Sequence, residues 1–472
     1  MANHRLVTLI WIFTEKIGLI FLSMITFIAY ARLLSPAELG LGTVIIAIVE
    51  VIGIIYSSVL EDPLVRLEHL EDQHICTAFW CAVIVSLMSV VVITFAVMLY
   101  TTDPMLRWMT AVASVKILFT MMARVYVVQM RRSGNFKMLA SRTLMGKVFG
   151  GVAGIAVALW GFGAWAVITQ ALIMEFVSIV VLMLSDRRRI AFYIDGAVLR
   201  ALLTAGIPVA INVLSSQTLQ RGVNVLLGIT AGTNAVGIFN IAMRIIDLPR
   251  TALYNGLMSY ALPAFARRSA DPSRLIGIIC DSTAISGFVL TPIFVGIAVT
   301  ADDIILLIFG TKWAEAIPML QVLACAAALG NTAMYATTAL VAVNCTRLTL
   351  KAEVATTLLA LALVYGLGHL YGGMAAALAL LARMVLITPL QIRGLNTAIG
   401  YDWRSFFESN YRSVIASLFM AAAVVFVSPQ LGLQGYWHLA CSIGIGTATY
   451  ALAYSALHPQ WPQEFKLVFT AR

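Results

Sequence analysis

The chain has 472 residues, of which 61% are hydrophobic and only 11% charged, with a mean hydropathy of +0.93. A soluble domain carries roughly 25% charged residues, so these values exclude a water-soluble enzyme or binding module and point to a polytopic membrane protein. The net charge of +9 is spread between apolar stretches, which fits orientation signal and anionic lipid headgroups and gives no argument for nucleic acid as a partner.

A bilayer crossing needs about 20 apolar residues. Fourteen stretches meet that length, at 6–34, 39–60, 75–100, 105–130, 143–161, 164–185, 205–230, 235–264, 275–300, 314–343, 353–371, 373–392, 411–428 and 436–457. The expected fold is therefore an all-α membrane protein of about 14 transmembrane helices, with no gap long enough for a separate extramembrane domain. The first stretch is too long for a signal peptide, lacks a small-x-small cleavage site and leads straight into further spans, so it is expected to stay.

Of the 31 Lys and Arg residues, about 20 fall in the even-numbered gaps and at the termini, about 3 on the other side and about 8 within spans. The cation-rich side is expected to be cytoplasmic, with both termini inside. Arg131, Arg132, Lys137 and Arg142 form the first clear cationic loop, Arg187, Arg188, Arg189 and Arg200 the second, and Arg267, Arg268 and Arg274 the third. The gap Glu61 to His74 carries five acids and Arg66 as its one arginine, but acids weigh little in the orientation rule. Trp160, Trp165, Trp313, Trp403, Trp437 and Trp461 stand at span ends, where an aromatic belt is expected.

Ser35-Pro36-Ala37-Glu38-Leu39-Gly40-Leu41 aligns with Gly232-Thr233-Asn234-Ala235-Val236-Gly237-Ile238, each in the tight turn after an odd-numbered span. With that offset Thr43, Glu50 and Ser57 overlie Asn240, Asp247 and Tyr254, two triplets in steps of seven that each share a helical face. Six spans separate the copies, so both have the same orientation, and two halves related by an axis along the membrane normal are expected. The linker between them is placed at 186–204.

An ion in hydrocarbon costs about 2.5–3.5 kcal/mol even on the lenient insertion scale, so each intramembrane charge needs a partner, a cavity or a route to the interface. Spans 1, 2, 7 and 8 hold seven such charges, Glu15, Lys16, Glu50, Arg221, Arg244, Asp247 and Arg250. In span 8, Asn240, Arg244, Asp247, Thr251 and Tyr254 form one polar stripe. Span 7 adds Asn212, Ser215, Ser216, Gln217, Gln220, Arg221 and Asn224. Arg244 with Asp247 reads either as a packed pair or as part of a cationic site. Taken together, Arg221, Arg244 and Arg250 outnumber Asp247, which leaves positive charge for an anionic ligand. Lys16 and Arg32 add to it, with snorkelling as the other reading of Arg32. Lys116, Arg124, Lys147, Glu175 and Arg383 read as structural or snorkelling. Pro249 and Pro292 mark candidate hinges, and Gly18, Gly40, Gly42 and Gly53 allow close helix approach in the first half.

Chemistry other than binding finds no support. The six cysteines, Cys76, Cys81, Cys280, Cys325, Cys345 and Cys441, have no metal-ligand spacing and read as packing residues. The six histidines are scattered, there is no phosphate loop or nucleophile elbow, and no outer gap exceeds about 15 residues, so an enzyme of the polymerase or ligase type is disfavoured. No cofactor and no metal are expected.

The segment Ala31-Arg32-Leu33-Leu34-Ser35-Pro36-Ala37-Glu38-Leu39-Gly40 resembles the opening signature of the bacterial polysaccharide transporters, the Wzx-type flippases of the multidrug/oligosaccharidyl-lipid/polysaccharide exporter superfamily. Thr77-Ala78-Phe79-Trp80, the basic region Arg131 to Lys147, Gly237 to Arg244 followed by Pro249, and Pro263-Ala264-Phe265-Ala266-Arg267 extend the resemblance over nearly the whole chain. It implies two six-helix bundles, 1–185 and 205–392, around a central cavity lined by spans 1, 2, 7 and 8, with two further spans and a cytoplasmic tail in 393–472. The implied substrate is an oligosaccharide carried on a polyprenyl pyrophosphate, its phosphates held by Arg221, Arg244 and Arg250 with Lys16 or Arg32, and its sugars by Gln217, Asn224, Asn240 and Tyr254. Membrane lipids and the polysaccharide polymerase and chain-length proteins are the implied partners. Glu15, Glu50 and Asp247 are candidates for coupling to protons or sodium, or else they simply pair neighbouring arginines. A drug or cation antiporter of the same superfamily is the rival reading, for which an acidic cavity is expected; a peptidoglycan-precursor flippase shares the chemistry and differs in the glycan.

Overall fold

The computed structural model describes residues 2–67, 70–185, 190–269, 271–343 and 345–459, with side chains described for all of these except 2–17, 52, 54–58, 60, 62, 66, 208–218, 254–257, 259 and 260. Helices occupy nearly all of this. In chain order they are α1 (Ala2–Leu33), α2 (Pro36–Arg66), α3 (Asp72–Tyr100), α4 (Pro104–Arg132), α5 (Phe136–Leu159), α6 (Trp165–Ser185), α7 (Gly196–Ala266), α8 (Pro272–Val299), the one-turn α9 (Ala301–Asp303), α10 (Ala316–Thr332), α11 (Met334–Ala342), α12 (Thr346–Tyr371), α13 (Gly373–Ile399), α14 (Trp403–Val427) and α15 (Tyr436–Leu457). A π-turn at Ile304–Phe309 and a 3₁₀ turn at Thr311–Trp313 link α9 to α10.

Among the described residues, eleven helical segments are long and apolar enough to cross a membrane. The expectation was fourteen. The difference lies at α1 and α2, whose side chains fall partly outside the description, and at α7, where expected spans 7 and 8 meet at a kink and one qualifying segment, Leu219–Leu253, covers parts of both. Within α7 the backbone leaves helical geometry at Gly232, where φ is 82° and ψ is 172°. Only glycine adopts that conformation without strain, so this residue, and not Pro249, breaks α7.

Several helices start on a cap followed by proline, the combination that satisfies one orphan N–H and removes another. Ser35, Asp103 and Asp271 precede Pro36, Pro104 and Pro272 in this way. At α2 the cap is reciprocal: the Glu38 N–H donates to Ser35 Oγ at 3.3 Å while the Ser35 N–H donates to Glu38 Oε2 at 2.8 Å. At α14 the Ser405 N–H and hydroxyl both donate to Asp402 Oδ1 at 2.9 Å, and these bonds hold the Asp402 carboxyl below the usual carboxylate range.

The chain divides into two compact units, residues 1–237 and 238–472. In the first, α5 lies on α6 through a glycine ladder in which added Cβ atoms at Gly146, Gly150 and Gly154 would press on the carbonyls of Met174, Gln170 and Ala166 at 2.6, 2.7 and 2.9 Å. Small residues at every fourth position let two membrane helices approach this closely. Gly18 packs on Leu144 and Gly42 on Val167, while Gly53 faces open space. The first half of α7 belongs to this unit and runs antiparallel to α2, with Gly206 against Val59 and Gly228 against Val44. Thr77 and Trp80 of α3 hold the segment that leads into α7: the Asp195 N–H donates to Thr77 Oγ1 at 3.0 Å, and the Trp80 indole N–H donates to the Ala191 carbonyl at 2.9 Å.

In the second unit α8 packs on α10 and α14, α14 on α15, and α12 on α13. Phe288 meets Tyr450 and Tyr454 at the α8–α15 contact. A polar chain ties the C-terminal helices to α9: His438 Nδ1 lies 2.7 Å from Asp303 Oδ2, His438 Nε2 lies 2.8 Å from Ser428 Oγ, and Ser428 Oγ lies 2.6 Å from Ser442 Oγ. Trp313 corrects the aromatic-belt expectation, since it is fully buried; Trp160 and Trp437 are about three-quarters exposed, as a belt residue is, and Trp461 lies outside the described residues.

Candidate functional site

The repeat brings its two copies into contact. A Cβ on Gly40 would collide with the Thr233 carbonyl and lie 2.8 Å from the Gly237 nitrogen, and a Cβ on Gly237 would collide with the Pro36 carbonyl. With the offset of the repeat, Gly40 corresponds to Gly237 and Pro36 to Thr233, so the contact is reciprocal: each glycine receives the carbonyl that its counterpart offers. All four residues belong to the first unit.

Seven residues past the repeat's Thr43, Glu50 stands on α2 at the centre of a buried charge cluster. The Lys116 ammonium of α4 donates to Glu50 Oε1 at 2.6 Å, and Arg221 of α7 pairs with Oε2. Lys116 is 6% exposed, so it does not snorkel; it is a buried partner of the carboxylate. Among the described residues, one acid thus stands between two cations. Asn224, one turn beyond Arg221, is buried and engaged. Lower on the same two helices, Glu61 takes Arg124 on one oxygen and Arg131 on the other, both at 2.8 Å. Glu61 is buried within α2 and is no loop residue, because the helix continues to Arg66. Arg32 lies exposed in the last turn of α1.

The second unit holds the equivalent acid, Asp247. Its carboxylate lies 4.0 Å from Arg250 one turn on, and within Coulombic reach of Arg244 one turn back. Asn240 and Thr251 of the same stripe are engaged as well. Arg383 of α13, nine-tenths buried, pairs with Glu353 of α12, and Arg250 is close enough to Arg383 for the two cations to repel. Among the described residues, three arginines thus gather around two acids. Glu353 is the residue that sequence reasoning missed: hydropathy starts the span at 353, whereas the helix starts seven residues earlier at Thr346 and carries Glu353 inside. Glu15, Lys16, Gln217 and Tyr254 have side chains outside the described residues.

Residues 29–318, more than half of the chain, match the family model described as polysaccharide biosynthesis protein. The chain belongs to this family. Among curated relatives, the succinoglycan biosynthesis transport protein ExoT of Rhizobium meliloti (strain 1021) is 25% identical over 319 residues, which is 66% of this family member and 64%, just under two thirds, of ExoT. The lipopolysaccharide biosynthesis protein WzxC of Escherichia coli (strain K12) is 26% identical over 209 residues, covering 43% of the chain and 40% of WzxC. Among solved structures, the lipid II flippase MurJ in an inward closed conformation superposes with a TM-score of 0.75 at 15% identity, over 97% of this chain and 99% of that one. An inward-facing multidrug resistance transporter of the MATE family superposes at 0.60 and 15% identity, over 84% and 95%. This member of the polysaccharide biosynthesis protein family therefore shares its fold with MurJ and the MATE transporter, and it is a multi-pass membrane protein.

Proposed function

We propose that the protein is a flippase that moves an oligosaccharide repeat unit, carried on polyprenyl pyrophosphate, from the cytoplasmic to the periplasmic leaflet of a bacterial inner membrane. The observation that carries this reading is that, among the described residues, cations outnumber acids in two clusters: Lys116 and Arg221 at Glu50, and Arg244, Arg250 and Arg383 around Asp247 and Glu353. A diphosphate supplies the missing negative charge, and arginine grips phosphate through charge-assisted, bidentate contacts.

In this reading the chain crosses the membrane fourteen times with both termini cytoplasmic, and its halves, 1–185 and 205–392 joined by 186–204, enclose a central cavity, with 393–472 appended. Arg221, Arg244 and Arg250, helped by Lys16 or Arg32, hold the phosphates; Gln217, Asn224, Asn240 and Tyr254 hold sugars. Alternating access moves the headgroup while the lipid tail stays in the bilayer, and no bond is broken. Outward movement of negative charge across an inside-negative membrane is favoured by about 2.3 kcal/mol per charge per 100 mV. Glu15, Glu50 and Asp247 are the carboxylates available for ion coupling. ExoT and WzxC, by name a succinoglycan transport protein and a lipopolysaccharide biosynthesis protein, favour an exopolysaccharide or O-antigen glycan over the peptidoglycan precursor, and polymerase and chain-length proteins are the partners that this reading implies. A drug or cation antiporter shares the fold but needs a surplus of acids, which the two clusters do not have.

The test is complementation of a deletion strain, with lipid-linked glycan assayed by leaflet. Arg221→Ala and Arg244→Ala are expected to leave glycan on the cytoplasmic leaflet at normal protein level. Normal export by both variants refutes the reading.

A further inference from the structure

We propose that Arg383, Glu353 and Arg250 form a second anion subsite, in which Glu353 is a resident carboxylate that a phosphate-class ligand displaces. The inference rests on the flippase reading and extends it to residues on α12 and α13 that the repeat does not mark.

Three observations converge on it. Arg383 has a nine-tenths buried side chain, and its Nε finds no acceptor among the described residues. A guanidinium offers five N–H donors in a planar fork, and a buried one left short of acceptors costs stability unless another anion completes it. Arg250, on a different helix, adds a second positive charge to the electrostatic surroundings of Arg383. Exposure is graded: Arg250 is 57% exposed, Glu353 33% and Arg383 10%, so an incoming ligand meets Arg250 and Glu353 first and Arg383 last.

A pair kept for structure alone has a different form. Its carboxylate is as buried as its arginine and its fork is fully matched, because half-satisfied buried charges are costly. Here the acid is the more accessible member. A phosphate group brings three acceptor oxygens, enough to serve both Nε and Nη of Arg383, whereas the Glu353 carboxylate brings two oxygens and engages one Nη of Arg383. Displaced Glu353 turns toward the exposed side. When the anion leaves, it returns and restores neutrality, which limits how tightly the ligand is held and so favours release.

The test is binding of inorganic pyrophosphate to the full chain in lipid nanodiscs, measured by calorimetry at constant ionic strength. Glu353→Gln removes the competitor and is expected to tighten binding about tenfold, while Arg383→Gln weakens it about tenfold, the scale of one charge-assisted contact. Arg383→Lys keeps the charge, loses the fork and falls between wild type and Arg383→Gln; it serves if Arg383→Gln does not fold. If Arg244→Gln weakens binding while Glu353→Gln leaves it unchanged or weaker, the subsite is overturned and the flippase reading stands. A Glu353→Arg/Arg383→Glu exchange that binds like wild type also overturns it, since a structural pair tolerates reversal and a ligand site does not. Absence of pyrophosphate binding by the wild type overturns the subsite and the flippase reading together.

Discussion

Glu50 gives the sharpest test of the buried cluster. Its Oε1 lies 2.6 Å from Lys116 Nζ, and the Lys116 side chain is 6% exposed, so Glu50→Gln leaves an ammonium inside the helix bundle with its carboxylate gone. Breaking a buried ion pair by removing one partner costs about 3–5 kcal/mol. Lys116→Met costs less, because Glu50 keeps Arg221 and methionine fills a similar volume. The double substitution costs about as little as an apolar replacement of a buried pair usually does, roughly 0–1 kcal/mol, since Arg221 is 31% exposed and retains water. A double-mutant cycle by equilibrium unfolding in mixed micelles is therefore expected to give a coupling of about 2–4 kcal/mol, with the double variant more stable than Glu50→Gln alone. A coupling below about 0.5 kcal/mol, the level at which independent sites add, refutes the pairing.

Gly40→Val and Gly237→Val each drive side-chain atoms into backbone carbonyls that no rotamer change can move aside, at a cost of about 1–3 kcal/mol for overpacking. Because the two share one reciprocal contact, thermal unfolding of the double variant is expected to show less than the sum of the singles, and full additivity counts against the contact. The Asp402 carboxyl has its pKa lowered on folding by the Ser405 donors, so its contribution is present above the ordinary value of about 3.9 and is lost as the pH falls through the depressed folded value. Amide exchange at Ser405 and Phe406 is expected to quicken over that acid range in the wild type and to be insensitive to it in Asp402→Asn.

Much of the fold was legible because hydropathy and helix caps act locally. Each of the fourteen apolar stretches falls on helix over most of its length, though 314–343 is broken between α10 and α11, and the cap-proline pairs at Ser35, Asp103 and Asp271 mark helix starts that the hydrophobic windows blur. What hydropathy misplaces are the ends. Windows stop at the first charges, yet α2 continues past Glu61 and α12 begins before Glu353, since a charge with a partner can stay in a helix that an unpaired one would end. Trp313 fails for a related reason: a tryptophan at a span end resembles a belt residue unless packing of a neighbouring turn, which no window senses, buries it.

The site was legible as positions and illegible as partners. The repeat picks out Glu50 and Asp247 as equivalent acids, because a period of seven on one helical face is a property of the sequence. Which cations answer them depends on helix rotation and neighbourhood. Lys116 is 66 residues from Glu50 along the chain, and Asp247 finds Arg250 three residues away. The same acid position thus serves two circuits, one closed between three helices and one along a single helix. Each circuit ends with more cations than acids. Among the described residues, the two equivalent acids are thus each met by more than one cation, through different contacts. Substitutions that preserve the surplus while changing its partners are accordingly the ones to compare with those that abolish it.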